Sequence, residues 1–166
     1  MDMQLFSVLR AAHILTAAVW LGAGAMLTLY IMPSVRSSGA AGGAVMAESM
    51  RRGLGIFMAS VAGLTIVSGL LLFWVWSQAR GPGGTHGTGA MLLGLGALAG
   101  VVAAIVGGAV LGRVSRELAG LAGAPAADAA VQARIAALHR RGAAASKLTL
   151  SLLVAALLLM VFSHSY

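Results

Sequence analysis

A chain of 166 residues that is 60% hydrophobic and only 9% charged is too apolar for an ordinary soluble domain, where about a quarter of residues carry charge. The formal net charge of +7 would suit nucleic acid, but in so apolar a chain basic residues mark cytoplasmic loops, and no nucleic-acid partner is expected. The absence of cysteine excludes disulfides, thiolate metal sites and covalent haem attachment.

The first apolar run covers residues 11–35. A helix rises about 1.5 Å per residue, so about 20 residues cross a hydrocarbon core of ~30 Å. The run is longer than the roughly 7–15 apolar residues of a secretory signal and carries Trp20 and Tyr30, so it reads as a retained span. On one face of that helix fall His13, Thr16, Ala17, Trp20 and Gly24. The link "AAGGAVMAESMRRG" follows and reads as short and partly helical. Residues 54–76 form the second run. Its Ser60, Thr65 and Ser68 can bond their own preceding carbonyls, so they need not mark a polar channel.

"RGPGGTHGTG" is a Gly-rich turn holding His86. The third run, 89–112, carries Gly96, Gly100, Ala104, Gly108 and Gly112 at intervals of four. Small residues let helix backbones approach closely in lipid, so this stripe is expected to face another helix. Span two offers Ala59, Gly63, Thr65 and Gly69 as the partner surface. A homodimer is the other use of such a stripe. After the turn signal "GAPAAD", the run "AAVQARIAALHRR" places Val131, Ile135 and Leu138 at helical spacing. It reads as an amphipathic cytoplasmic helix that lies on the lipid surface or continues the fourth span inward. The fourth apolar run spans 148–164.

The expected fold is all-α: one integral membrane domain over 1–166, a four-helix bundle running up-down-up-down, with the amphipathic helix between spans three and four. Arg36, Arg51 and Arg52 fall between spans one and two. Arg113, Arg116, Arg134, Arg140, Arg141 and Lys147 fall between spans three and four. Only Arg10 and Arg80 lie on the other side. The positive-inside rule then puts both termini in the periplasm of a bacterial inner membrane. No Asp, Glu, Lys or Arg lies in the middle of a span, which speaks against an ion-coupled transporter or proton pump.

Three of the four histidines share the outer side: His13, His86 and His164. Met160 precedes His164 by one helical turn on the same face. Imidazole is a good axial ligand for haem iron, and imidazole with thioether sulfur suits copper. One reading is a haem b bound through His13 and His164 beside Trp20. Copper held by His13, His164, Met160 and His86 is the alternative. A plain interfacial histidine bonded to a carbonyl is the reading without any cofactor.

The stretches "AAHILTAAVWLGAGAMLTLYIMPSVR" and "RRGLGIFMASVAGLTIVSGLLLF" resemble the copper-resistance D-like group of bacterial membrane proteins and the related HemJ-like protoporphyrinogen oxidases, which bind haem b. The pattern carrying the resemblance is an early His, Trp-x-Gly in span one and Ser/Thr-Gly-Leu-Leu in span two. Here these are His13, Trp20, Gly22, Ser68 and Gly69. The resemblance covers the two N-terminal spans and implies that His13 is a haem or metal ligand. Span four departs from it, with His164 in "MVFSHSY" where relatives commonly carry Arg. Charged residues expected around a porphyrin substrate are not evident within the spans, so enzyme status stays open. Two functions follow. One is electron transfer, metal handling or service in a membrane redox complex. The other is a cofactor-free structural or assembly subunit docking other membrane proteins.

Overall fold

The computed structural model describes residues 3–80, 87–121 and 128–163, and these are almost entirely helical. Helix α1 (Met3–Met26) passes through a π-helical turn, Leu27–Ile31, into α2 (Met32–Ser37). Pro33 accounts for the turn: it donates no hydrogen bond and its ring crowds the carbonyl four residues earlier, which the wider π turn relieves. Helix α3 (Gly39–Arg51) then folds back. Gly39 supplies the reversal at φ +56°, and a Cβ on Gly42 would overlap the Val35 carbonyl. Helices α4 (Leu54–Arg80) and α5 (Thr88–Ile105) follow. A second π turn, Val106–Leu111, leads from α5 into α6 (Gly112–Leu121). The last helix is α7 (Ala129–Phe162).

Four helices are long and apolar enough to cross a membrane: Gln4–Ser37, Leu54–Gln78, Thr88–Leu121 and Ala129–Phe162. Their outward faces are apolar too. Ile14, Leu15, Leu64, Leu98 and Ile105 are each more than half exposed, as expected for helices solvated by lipid. Tyr30 and Phe57 are exposed toward one end of the bundle, and Trp74 and Phe162 toward the other, matching the aromatic belts of the two interfaces. The link 38–53, expected to be partly helical, is helical over nearly its full length.

The core takes one buried residue from each long helix: Trp20 from α1, Val61 from α4, Ala103 from α5 and Leu153 from α7. The helices pack mainly in two antiparallel pairs, α1 with α4 and α5 with α7. Small residues set the second seam. A Cβ on Gly96 would lie 3.1 Å from the Ala156 carbonyl oxygen, and Gly107 faces Thr149. Ala103 between them is fully buried. The expected period-four stripe is therefore corrected: Gly100, Gly108 and Gly112 have nothing within 4 Å of an added Cβ. Four residues turn a helix by about 400°, so each step of four drifts about 40° off the seam. Gly96 and Ala103, seven apart, return to within about 20°. The seam's partner is also span four, not span two.

Asp128 caps α7, accepting from the backbone N–H of Ala130 at 2.8 Å and Val131 at 3.3 Å. The rest of the "GAPAAD" turn lies outside the described residues. From the cap, α7 runs unbroken through the basic segment into the fourth span. Of the two expected placements, the segment thus takes the continuous one. Leu138 is buried and Val131 and Ile135 half-buried, while Arg134, Arg140 and Arg141 are exposed.

Candidate functional site

The five residues that helical spacing gathers on one face of span one turn into the bundle. His13, Thr16, Ala17 and Gly24 are half-buried and Trp20 is buried. His13 enters the α1–α4 seam, where α4 offers a gap and an acceptor. The gap is Gly69: an added Cβ would lie 2.8 Å from His13 Cε1 and 3.1 Å from Nδ1. The acceptor is the Thr65 carbonyl oxygen, 2.9 Å from His13 Nδ1. Four residues separate Thr65 from Gly69, so the missing side chain at 69 leaves that carbonyl open from the side. The Ser68 hydroxyl oxygen lies 3.3 Å from Nδ1. Ser68 donates its own proton to the Leu64 carbonyl at 2.6 Å, and Thr65 donates to Val61 at 2.8 Å. The expected self-satisfaction of these hydroxyls is met.

A carbonyl only accepts, so Nδ1 carries a proton, and in the neutral ring Nε2 is the nitrogen with the lone pair. Among the described residues Nε2 makes no hydrogen bond. A ligating histidine characteristically donates its other ring N–H to a carbonyl, which fixes the tautomer and raises ligand basicity. Thr65, Ser68 and Gly69 thus orient the His13 ring.

The other candidates are distributed differently. Trp20 packs against Val61, Ala103 and Leu153 at the bundle centre, two turns along α1 from His13. Met160 packs on Gly96 in the α5–α7 seam, with its Cγ 3.0 Å from an added Cβ there. His13 and Met160 therefore belong to different seams. His86 and His164 lie outside the described residues. Among the described residues no three His, Asp or Glu side chains converge as a metal cluster. The carbonyl bond expected of a cofactor-free interfacial His13 is observed; what sequence reasoning missed is that Thr65 supplies the carbonyl and Gly69 the gap. Both were among the small and polar positions assigned to packing against span three.

At the opposite end, the charges are sorted. Glu48 pairs with Arg51 and Arg52. Glu117 pairs with Arg134 at 2.6 Å and Arg113 at 3.1 Å, and these bonds hold its carboxyl below the usual carboxylate range. Arg36 reaches from α2 to donate to the His139 carbonyl of α7 at 3.2 Å. Partial burial, with Arg36 nearby, lowers the His139 pKa.

Neither a family model, nor a curated protein, nor a solved structure matches this chain.

Proposed function

We propose that the chain is a small bacterial inner-membrane protein that holds a haem b near the periplasmic face through His13. Its role is electron transfer, metal handling or service as a subunit of a membrane redox complex. The observation carrying this reading is the Nδ1 bond of His13 to the Thr65 carbonyl, which leaves Nε2 as the basic nitrogen. The resemblance of spans one and two to the copper-resistance D-like and HemJ-like proteins points to the same residue. Three of its pattern residues, His13, Ser68 and Gly69, meet in space.

When bound, haem iron supplies one-electron chemistry. The chain's own contributions are positional. Thr65 and Ser68 hold the imidazole's proton on Nδ1, and Gly69 sets the ring's height. The apolar bundle around it lowers the local dielectric. Copper is the second metal reading, with His164 and His86 as its further ligands; Met160, in the α5–α7 seam, stands apart from His13.

A cofactor-free structural or assembly subunit is the rival function. The burial of Trp20 in the four-helix core favours it, because packing alone accounts for that ring. Visible spectra of the purified protein, oxidised and reduced, decide between them. We expect a Soret band that shifts on reduction. Protein from haem- and copper-supplied cells with neither a haem band nor stoichiometric copper would leave the subunit reading standing.

The orientation follows from the basic residues gathered at the α3–α6 end and the positive-inside rule. In an up-down-up-down crossing, both termini are then periplasmic. A reporter active only in the cytoplasm, fused after Tyr166, should be silent, and the same reporter placed between spans three and four should be active. The reverse pattern would move His13 to the cytoplasmic face.

A further inference from the structure

Where α2 leaves the first span beside α7, Arg36, His139, Arg140, Ala143, Ala144 and Lys147 line an open cavity of about 440 Å³. Among the described residues no acidic side chain offsets its charge. The chain has four acidic residues. Glu48 and Glu117 are each held by two arginines elsewhere, and Asp128 caps α7. Among the described residues no carboxylate lines the cavity. Three permanent cations therefore face one space, and the two alanines form an uncharged floor between them.

The cavity's level in the bilayer identifies the anion. Arg36 directly follows the first apolar run and Lys147 directly precedes the fourth. Both stand at the hydrocarbon edge. Arg140 lies seven residues beyond Lys147, about 10 Å further along the helix. That reach covers a headgroup layer roughly 5–8 Å deep. A soluble anion needs no such placement, whereas a lipid phosphate lies at this depth. Arginine also matches phosphate geometry with its planar fork of donors. The geometry points to a phospholipid-phosphate site: the cavity between α2 and α7 takes the phosphate of one anionic phospholipid, held by Arg36, Arg140 and Lys147. It rests on the membrane reading alone and not on the cofactor at the other end.

The test uses the full chain, purified in detergent and stripped of lipid, with thermal unfolding as readout. Phosphatidylglycerol in mixed micelles should raise the midpoint by on the order of 5 °C at saturation. Phosphatidylcholine should raise it far less. The double variant Arg140→Gln/Lys147→Gln should lose the phosphatidylglycerol shift; Arg36 is kept, because it bonds α7. Arg51→Gln/Arg52→Gln removes the same charge from α3 and should keep the shift. Equal loss in both variants would reduce the effect to diffuse attraction and overturn the site. So would an equal response to phosphatidylcholine. A full shift from millimolar inorganic phosphate alone would overturn the lipid assignment in favour of free phosphate. Should the first double variant not fold, native mass spectrometry of the wild type decides. One retained phospholipid per chain is expected, and none would overturn the site.

Discussion

Gly96→Leu should lower the thermal midpoint of the detergent-solubilised protein more than any other single glycine change in span three. An added Cβ there would lie 3.0 Å from Met160 Cγ, 3.1 Å from the Ala156 carbonyl oxygen and 3.4 Å from Leu159 Cβ. Met160 can swing aside, but the Ala156 oxygen belongs to the α7 backbone and cannot. The α5–α7 seam must open. Overpacking a close interface costs about 1–3 kcal/mol, and no burial from water offsets it between helices in lipid. The alanine pair isolates the seam. Gly100→Ala places its Cβ in open space and should stabilise by about 0.5–1 kcal/mol through helix propensity. Gly96→Ala gains the same propensity yet should still lose stability. Equal midpoints for the two alanine variants would mean that the seam does not run through Gly96.

Span three shows why packing was less legible than the spans themselves. Runs of apolar residues announce four crossings because hydrocarbon thickness fixes their length. The helix ends are invisible to the same criterion. Residues 36–37, 112–121 and 129–147 are polar or mixed, yet nothing in them breaks a helix, so α2, α6 and α7 carry helical structure beyond the apolar runs. A period-four row of glycines reads as one stripe, but 3.6 residues per turn make it spiral away. The true contacts at 96, 103 and 107 follow the seam. Which helix takes the seam depends on relative rotation, and no single residue encodes that.

The candidate site divides in the same way. That His13 shares an inward face with Thr16, Ala17, Trp20 and Gly24 follows from periodicity, and the burial agrees. The partner of His13 does not. Its acceptor is a backbone carbonyl, which any residue at position 65 would supply. The informative letter is the glycine four positions on, whose absent side chain uncovers that carbonyl. The cofactor-free reading anticipated a carbonyl partner for His13 without identifying Thr65, and that bond is the one observed; the metal readings looked for further side chains and named His164 and Met160. Met160 serves the other seam, and His164 lies outside the described residues.

The strongest test of the haem reading acts on that glycine rather than on the ligand. His13→Ala should abolish the Soret band, since it removes the ligand proposed for the iron. It also deletes a hydrogen bond from a half-buried seam, which alone costs about 0.5–1.5 kcal/mol. A spectrum lost through mere loosening would look similar. Gly69→Ala separates the two. Every atom of His13 remains, but a Cβ 2.8 Å from Cε1 and 3.1 Å from Nδ1 must push the ring off the Thr65 carbonyl. The expected result is a shifted or weakened Soret band with a nearly unchanged unfolding midpoint, because the Gly→Ala gain in helix propensity, about 0.5–1 kcal/mol, offsets most of the lost hydrogen bond. Gly63→Ala, on the same helix with open space at its Cβ, should leave the band at its wild-type position. If Gly69→Ala and Gly63→Ala gave the same wild-type spectrum, the imidazole of His13 would not be the iron ligand. The histidine would then be a packing group of the α1–α4 seam, held by Thr65 for the stability of the bundle alone.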